Sequence, residues 1–94
     1  MIVSFQHKGL EQFFLKGDGS KLPAAYLKKI RQILGVLHAA QNLQDVNVPG
    51  YDLHPLKGDL KGFWAVKVSG NYRIIFKFIE SKIEVIDVDY LDYH

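Results

Sequence analysis

The sequence predicts an α+β domain in which two helices pack on an antiparallel sheet, in the order β-α-α-β-β-β. Apolar residues recur at helical spacing through residues 22–43, and strand-like segments separated by short turns fill residues 63–90. The chain has 94 residues, which corresponds to a single domain over residues 1–94.

The first segment, IVSF (2–5), is short, apolar and β-branched, and it predicts an opening strand. The next segment, KGLEQFFLKG (8–17), predicts a short helix. Its apolar residues Leu10, Phe13 and Phe14 share one helical face, and Gly17 is placed to end it.

The clearest helical pattern is LPAAYLKKIRQILGVLHAAQNL (22–43). Pro23 suits a first helical turn, where its missing N–H has no intrahelical partner to lose. The apolar face is formed by Leu27, Ile30, Ile33, Leu34 and Leu37, with basic and polar residues on the other face.

The C-terminal half predicts the sheet. A loop punctuated by proline and glycine covers residues 46–62, with a short strand near 51–54. Strands then follow at 63–69, 72–80 and 83–90, joined by turns at GN and SK. In the middle strand one face carries Tyr72, Ile74, Phe76 and Phe78, and the other carries Arg73, Ile75, Lys77 and Ile79. Because both faces carry apolar groups, we expect the helices to cover one face and the other to be concave and partly open.

The composition argues against a disulfide-bonded, a membrane-spanning or a secreted protein. There is no cysteine, so no disulfide or thiolate metal site is expected, and no cofactor is implied. No apolar run approaches the ~20 residues of a membrane span. The N-terminus lacks the basic and then apolar pattern of a signal peptide, so we expect a cytoplasmic protein without a membrane partner.

The net charge of +2 is the sum of segments that carry strongly different charges. Residues 8–31 hold six basic and two acidic groups, and residues 54–77 hold five and one, so each segment carries +4. Residues 32–53 carry −2, and residues 78–94, with one basic and five acidic groups, carry −4. This pattern permits a polyanionic partner such as RNA and is also compatible with ordinary scattered surface charge.

Polar groups suited to chemistry come from three places. The segment LHPLKG supplies His54 and Lys57, the strand supplies Arg73, and the chain ends on Asp92, Tyr93 and His94. Pairing of the last three predicted strands in order would bring the C-terminal residues to one end of the sheet, within reach of Arg73 and the His54 loop.

These groups match the cleavage of RNA by its own 2′-hydroxyl. Imidazole can take or give a proton near neutrality, and two imidazoles, or one imidazole and a carboxylate, can serve as a base and acid pair. Each positioned proton transfer contributes typically ~10²–10⁴-fold. Lysine and arginine can hold the phosphate and offset its growing negative charge, so no metal is needed.

Each group also has a structural interpretation. His54 can be a loop residue beside Pro55, Lys57 a solvated turn charge, and residues 92–94 a frayed end. Arg73 can pair with an aspartate of the neighbouring strand. The residues alone therefore leave the nuclease interpretation open.

Four blocks resemble the HigB branch of the RelE/ParE toxin superfamily: SFQHKGLEQFF near the N-terminus, LHPLKGD at 53–59, GFWAVKVSGNYRIIFKF at 62–78 and the closing DYH. The resemblance spans nearly the whole chain, with the blocks in the same order and at similar separations. It implies a RelE-like, microbial ribonuclease-like fold and a bacterial type II toxin that binds the ribosome and cuts messenger RNA in the A site.

The resemblance also implies site residues and partners. The implied catalytic residues are His54, Asp92, Tyr93 and His94, and the implied phosphate-binding or RNA-binding residues are Lys57 and Arg73. In this scheme His54 or Asp92 accepts the 2′-OH proton, His94 protonates the leaving oxygen, and Tyr93 stacks on or orients a base. A HigA-like helix-turn-helix antitoxin is the implied protein partner, and operator DNA is bound only through the toxin–antitoxin complex.

Two other functions stay in view. A ParE-like member of the same fold would poison DNA gyrase, although such chains generally lack the histidine of the HPLKG block together with the closing DYH. A non-catalytic module would bind only antitoxin and operator.

Overall fold

The computed structural model describes residues 1–92. Its helices are α1 (Lys8–Lys16) and α2 (Leu27–Ala39), and its strands are β1 (His54–Pro55), β2 (Trp64–Lys67), β3 (Tyr72–Ile79) and β4 (Glu84–Asp92). The strands form one sheet in the order β1-β2-β3-β4, and every neighbouring pair is antiparallel. The predicted α+β class, two helices on an antiparallel sheet, is confirmed.

Helix α1 matches its predicted bounds because both of its ends are capped by the residues beside them. Nδ1 of His7 accepts the Leu10 N–H at 3.1 Å, which satisfies one of the donors left open in the first turn. At the other end Gly17 takes a left-handed conformation, with φ of 73°, and donates its N–H to the Phe13 carbonyl.

Helix α2 is shorter than the predicted 22–43. Pro23 is extended, with φ −61° and ψ 123°, and Ala24–Tyr26 forms a 3₁₀ turn before the α-helix begins. The helix ends at Ala39, because Ala40 is extended and the Asn42 side chain then accepts the Asp45 N–H to start a second 3₁₀ turn. Along residues 1–92, neither helix has the length and hydrophobicity needed to cross a bilayer.

The predicted opening strand is present as two isolated parallel bridges to β4, one between Ile2 and Val85 and one between Phe5 and Val88. Backbone hydrogen bonds flank each bridge, including Val3 N–H to the Val85 carbonyl at 2.8 Å. The pairing is interrupted between the bridges because β4 is irregular at that point.

That irregularity is a β-bulge in β4. Ile75 is opposite Asp89, whereas Lys77 is opposite Ile86, so Asp87 and Val88 together oppose a single β3 residue. Asp87 has a φ of 55°, which is uncommon for a residue other than glycine. One extra residue in the strand shifts the alternation of faces for everything that follows it.

The main core lies between the helices and one face of the sheet. Leu10, Ile30 and Leu37 from the helices pack with Ile74 and Phe76 of β3, and all five are fully buried. On the other face Ala65 and Ile75 are buried but lie outside this cluster. The prediction that helices cover only one face of the sheet is confirmed.

Candidate functional site

His54 lies on the sheet face away from the helices. It is the first residue of β1 and is opposite Ala65, which is opposite Ile75 on β3. Residues directly opposite in antiparallel strands project to the same side, so this row shares one face. We call this surface, with the neighbouring row that contains Arg73, the open face.

The neighbouring row of the open face pairs Lys67 of β2 with Arg73 of β3. Arg73 is two residues from Ile75, so it projects to the same side as His54. Two strand spacings, about 10 Å, and two residues along a strand, about 7 Å, separate the backbones of His54 and Arg73. Two cations directly opposite on one face repel each other, which makes this row a place where an anion is favoured.

Hydrogen bonds hold Arg73 against the β2–β3 turn. Its Nη1 donates to the carbonyls of Ser69 at 2.5 Å, Tyr72 at 3.0 Å and Gly70 at 3.4 Å. A guanidinium has five N–H donors in a planar fork, so donation to the turn through one nitrogen fixes the plane of the group. The half-buried Arg73 is therefore preorganised, with its charge at the end of the open face.

The tautomer of His54 follows from its neighbour. Its Nδ1 lies 2.8 Å from the Asp52 carbonyl oxygen. A carbonyl only accepts, so in the neutral ring Nδ1 carries the proton and Nε2 is the basic nitrogen. Asp52 reaches this position with a φ of 51°, another left-handed residue beside the site. His54 is thus oriented as a proton acceptor.

Lys57 lies in the loop between β1 and β2, at the start of the 3₁₀ turn Gly58–Leu60. Its side chain is exposed, and Lys61 at the end of the same turn is exposed as well. The loop therefore adds basic side chains next to His54 without fixing them in one geometry.

Asp92 lies at the same end of the sheet as Arg73. It is opposite Tyr72, and Leu91 is opposite Arg73. Because of the bulge, the alternation places Asp92 on the helix side of the pleat and Leu91 on the Arg73 side. The structure thus brings His54 and Arg73 to one face and puts Asp92 at their end of the sheet on the alternate side. Tyr93 and His94 lie outside the described residues.

A row of aromatic rings supports the end of β4. Tyr72 and Tyr90 stack at 5.1 Å between centroids, Tyr26 lies 5.6 Å from Tyr72, and His7 lies edge-on 5.9 Å from Tyr90. Burial raises the pKa of Tyr90 well above its ordinary value, and the neighbouring Tyr72, Tyr26 and Asp92 raise it further. The row joins both helix N-termini to β3 and β4 beside Asp92.

Lys77 of β3 contacts Asp87 of the neighbouring strand and the ring of Phe63. Asp87 lies 3.9 Å from Nζ of Lys77, and that nitrogen also lies 4.9 Å above the Phe63 ring.

Within residues 1–92, no three histidine or carboxylate side chains converge as metal ligands would.

Lys67 is the residue of the open face that the sequence reasoning missed. The predicted two-residue GN turn would place Val68 opposite Arg73, whereas the structure places Lys67 opposite Arg73. A shift of one residue moves a side chain to the other face, so the predicted turn did not reveal that the two cations share a face.

Comparisons with known proteins agree with this fold and this chain length. A sequence model of the family described as "RelE-like toxin of type II toxin-antitoxin system HigB" matches residues 3–94. The chain is 42% identical over 94 residues to "Endoribonuclease HigB" of Proteus vulgaris, covering 100% of both chains. It is 33% identical over 82 residues to "Toxin HigB-1" of Vibrio cholerae serotype O1, covering 85% of this chain and 86% of that protein.

Among solved structures, the fold is similar to a chain of the toxin–antitoxin complex RelBE2 from Mycobacterium tuberculosis. The TM-score is 0.60 at 15% identity, covering 98% of this chain and 95% of that one. Such a low identity shows the fold alone. Together with the family match and the full-length relative, it establishes that the chain belongs to the HigB family of RelE-like toxins of type II toxin–antitoxin systems.

Proposed function

We propose that this toxin is an endoribonuclease that cuts messenger RNA in the ribosomal A site and thereby inhibits translation. The observation that carries the proposal is the orientation of His54: its Nδ1 donates to the Asp52 carbonyl, leaving Nε2 as the basic nitrogen on the face that holds Lys67 and Arg73. The name of the full-length relative from Proteus vulgaris supports the same reaction class.

Cleavage of RNA in this way requires three catalytic roles. A base removes the 2′-OH proton, cations stabilise the charge on the attacked phosphate, and an acid protonates the departing 5′-oxygen. We assign the base to His54 or Asp92, the phosphate contacts to Lys57 and Arg73, and the acid to His94. Tyr93 stacks on or orients a base of the substrate. The nucleophile belongs to the RNA, so the scheme has no metal-dependent step.

The small number of oriented groups supports the proposed dependence on the ribosome. Arg73 and His54 are held by backbone carbonyls, whereas Lys57 is an exposed side chain on a loop. RNA already held by the ribosome would meet these groups in a fixed geometry, and positioning of that kind contributes a large share of a rate.

The protein partner in this proposal is a HigA-like helix-turn-helix antitoxin, and operator DNA is contacted only through the complex of the two proteins. The family is defined by its toxin–antitoxin system, and the similar fold from Mycobacterium tuberculosis was solved in a toxin–antitoxin complex.

Primer extension on messenger RNA after induction tests the proposal. Wild type should give new 5′ ends within reading frames, and His54→Ala and His94→Ala should lose them while retaining the folded circular dichroism spectrum. Lys82→Gln, an exposed substitution in the β3–β4 turn, is the control and should cut normally. The purified toxin should cut messenger RNA in ribosomes and leave the same RNA intact without them.

The rival functions give different results in the same experiment. A gyrase poison would leave messenger RNA whole and produce broken DNA. A non-catalytic module would be harmless on induction. Either result for the wild-type chain would overturn the endoribonuclease assignment.

A further inference from the structure

A groove separates α1 and α2 on the helical side of the molecule. Its volume is about 350 Å³, within the range of sites that bind ligands or peptide side chains. The lining residues are Phe13, Phe14, Gly17, Arg31, Leu34 and Gly35. The floor is apolar and the mouth opens to solvent beside an arginine.

Gly35 is the first sign that another molecule enters this groove. It is an exposed residue in the interior of α2, and glycine is the poorest helix former after proline. A Cβ built on Gly35 would meet nothing within 4 Å, so packing within the chain does not require glycine there. Glycine in a regular element often marks a place where a partner approaches the backbone closely.

Arg31 is the second sign, because it gives the groove a charge. It is exposed and lies 5.3 Å above the Phe13 ring at the edge of the apolar floor. The two helices carry five basic residues and one acidic residue, a net +4: Lys8, Lys16, Lys28, Lys29, Arg31 and Glu11. The complementary partner presents apolar side chains flanked by carboxylates.

We propose that this groove binds the antitoxin, through an acidic helical segment that inserts apolar side chains over Phe13 and Leu34 and pairs a carboxylate with Arg31. The inference rests on the proposed function, which supplies an antitoxin as the partner. The groove belongs to the helical layer, whereas His54 and Arg73 belong to the opposite face of the sheet. Binding and RNA cleavage can therefore be tested by separate substitutions.

Two substitutions at one position test the groove, with the antitoxin encoded in the same operon as the probe. Gly35→Ala improves the helix and fills open space, so the thermal midpoint of the isolated toxin should rise by a few degrees. The same methyl should weaken antitoxin binding several-fold, and Gly35→Gln, whose side chain fills the groove, by at least about tenfold. Gln32→Ala, an exposed position of α2 outside the groove, should leave the affinity unchanged.

Each result decides between specific alternatives. Unchanged affinity in Gly35→Gln overturns the groove as the antitoxin site, while messenger RNA cleavage by the same variant would show that the proposed function stands. A wild-type toxin that sediments as a dimer and becomes monomeric in Gly35→Gln would assign the groove to a second copy of this chain and overturn the proposal. Failure of the wild-type toxin to bind the antitoxin at all would overturn the partner itself.

Discussion

The Ser4 hydroxyl forms two hydrogen bonds with Asp87: it accepts the Asp87 backbone N–H at 2.9 Å and donates to Oδ1 at 3.4 Å. A residue near the N-terminus thereby holds the bulge residue of β4 in its left-handed conformation. The bulge sets the face on which every later residue of β4 lies, including Asp92. Ser4 thus acts at a distance on the end of the sheet that we assign to catalysis.

Ser4→Ala should destabilise the fold and loosen the end of β4. It removes both bonds to Asp87 and leaves a half-buried N–H without its acceptor, at a cost of about 1–2 kcal/mol. Urea unfolding measures the loss. Val3→Ala, at the exposed neighbouring position, is the matched control and should change stability by less than ~0.5 kcal/mol. Equal effects of the two substitutions would show that the hydroxyl does not hold the bulge.

Lys67→Gln should lower cleavage and leave stability the same or higher. It removes one of two cations that face each other across β2 and β3, so cross-strand repulsion of roughly 0.2–1 kcal/mol disappears. The phosphate loses a positive group at the same time, and we expect cleavage of ribosome-bound messenger RNA to fall by about tenfold.

The control for Lys67→Gln is Lys82→Gln, which also removes one positive charge at an exposed position. Equal cleavage by both variants would place Lys67 outside the RNA contact. A parallel loss of stability and cleavage in Lys67→Gln would mean that the residue acts through the fold.

Tyr90→Phe should keep or raise stability. Among the described residues, the buried Tyr90 hydroxyl has no hydrogen-bond partner, so removing it changes the free energy of unfolding by between zero and about +1 kcal/mol. Denaturant unfolding at neutral pH tests this. A loss greater than about 1 kcal/mol would show that the hydroxyl has a partner in solution.

The same substitution should change the response to alkali. Because the folded pKa of Tyr90 is raised, its contribution to stability is complete below the ordinary tyrosine pKa of 10.0 and is lost as the pH rises above that value. Wild type should therefore lose stability between neutral pH and about pH 11. Tyr90→Phe should lose less, with Tyr51, whose pKa burial also raises, contributing to the remaining slope.

Reversing Lys8 and Lys28 to glutamate should weaken ribosome binding and reduce its dependence on salt. Both side chains are exposed, whereas Lys29 packs over Tyr51 and Arg31 over Phe13, so only the first pair reports charge without packing. Each cation that neutralises an RNA phosphate adds to the slope of log affinity against log salt. Sedimentation with ribosomes at several salt concentrations measures that slope.

The comparison for this double variant is Gln41→Glu with Gln44→Glu, which adds negative charge at exposed positions of the acidic segment. That pair should bind nearly as wild type. An unchanged affinity and salt slope in the Lys8 and Lys28 variant would remove the basic segment 8–31 from the ribosome contact.

The sequence predicted those parts of the fold that depend on local chemistry. Gly17 ends α1 as expected, and the alternation of Tyr72 with Arg73 along β3 gave the correct faces. The start of α2 was missed because Pro23 is compatible both with a first helical turn and with the extended residue that it forms here.

The candidate site was only partly predictable because one of its determinants is not local. His54 and Arg73 share a face because of two cross-strand registers, that of β1 with β2 and that of β2 with β3. The side of the sheet on which Asp92 lies depends on the bulge at Asp87, and a period-two pattern contains no information about an inserted residue. Ser4 stabilises that bulge from the far end of the chain, where no short motif could reveal it.

The pairing of the N-terminal segment with β4 also sets the order in which the sheet can be completed during synthesis. Residues 2–5 are made first, yet their strand partners Val85 and Val88 belong to the element that is translated after all the other described ones. Both helices and the first three strands are therefore synthesised while β4 is still missing from the sheet. A chain that ends before β4 therefore lacks the strand that both pairs with residues 2–5 and carries Asp92.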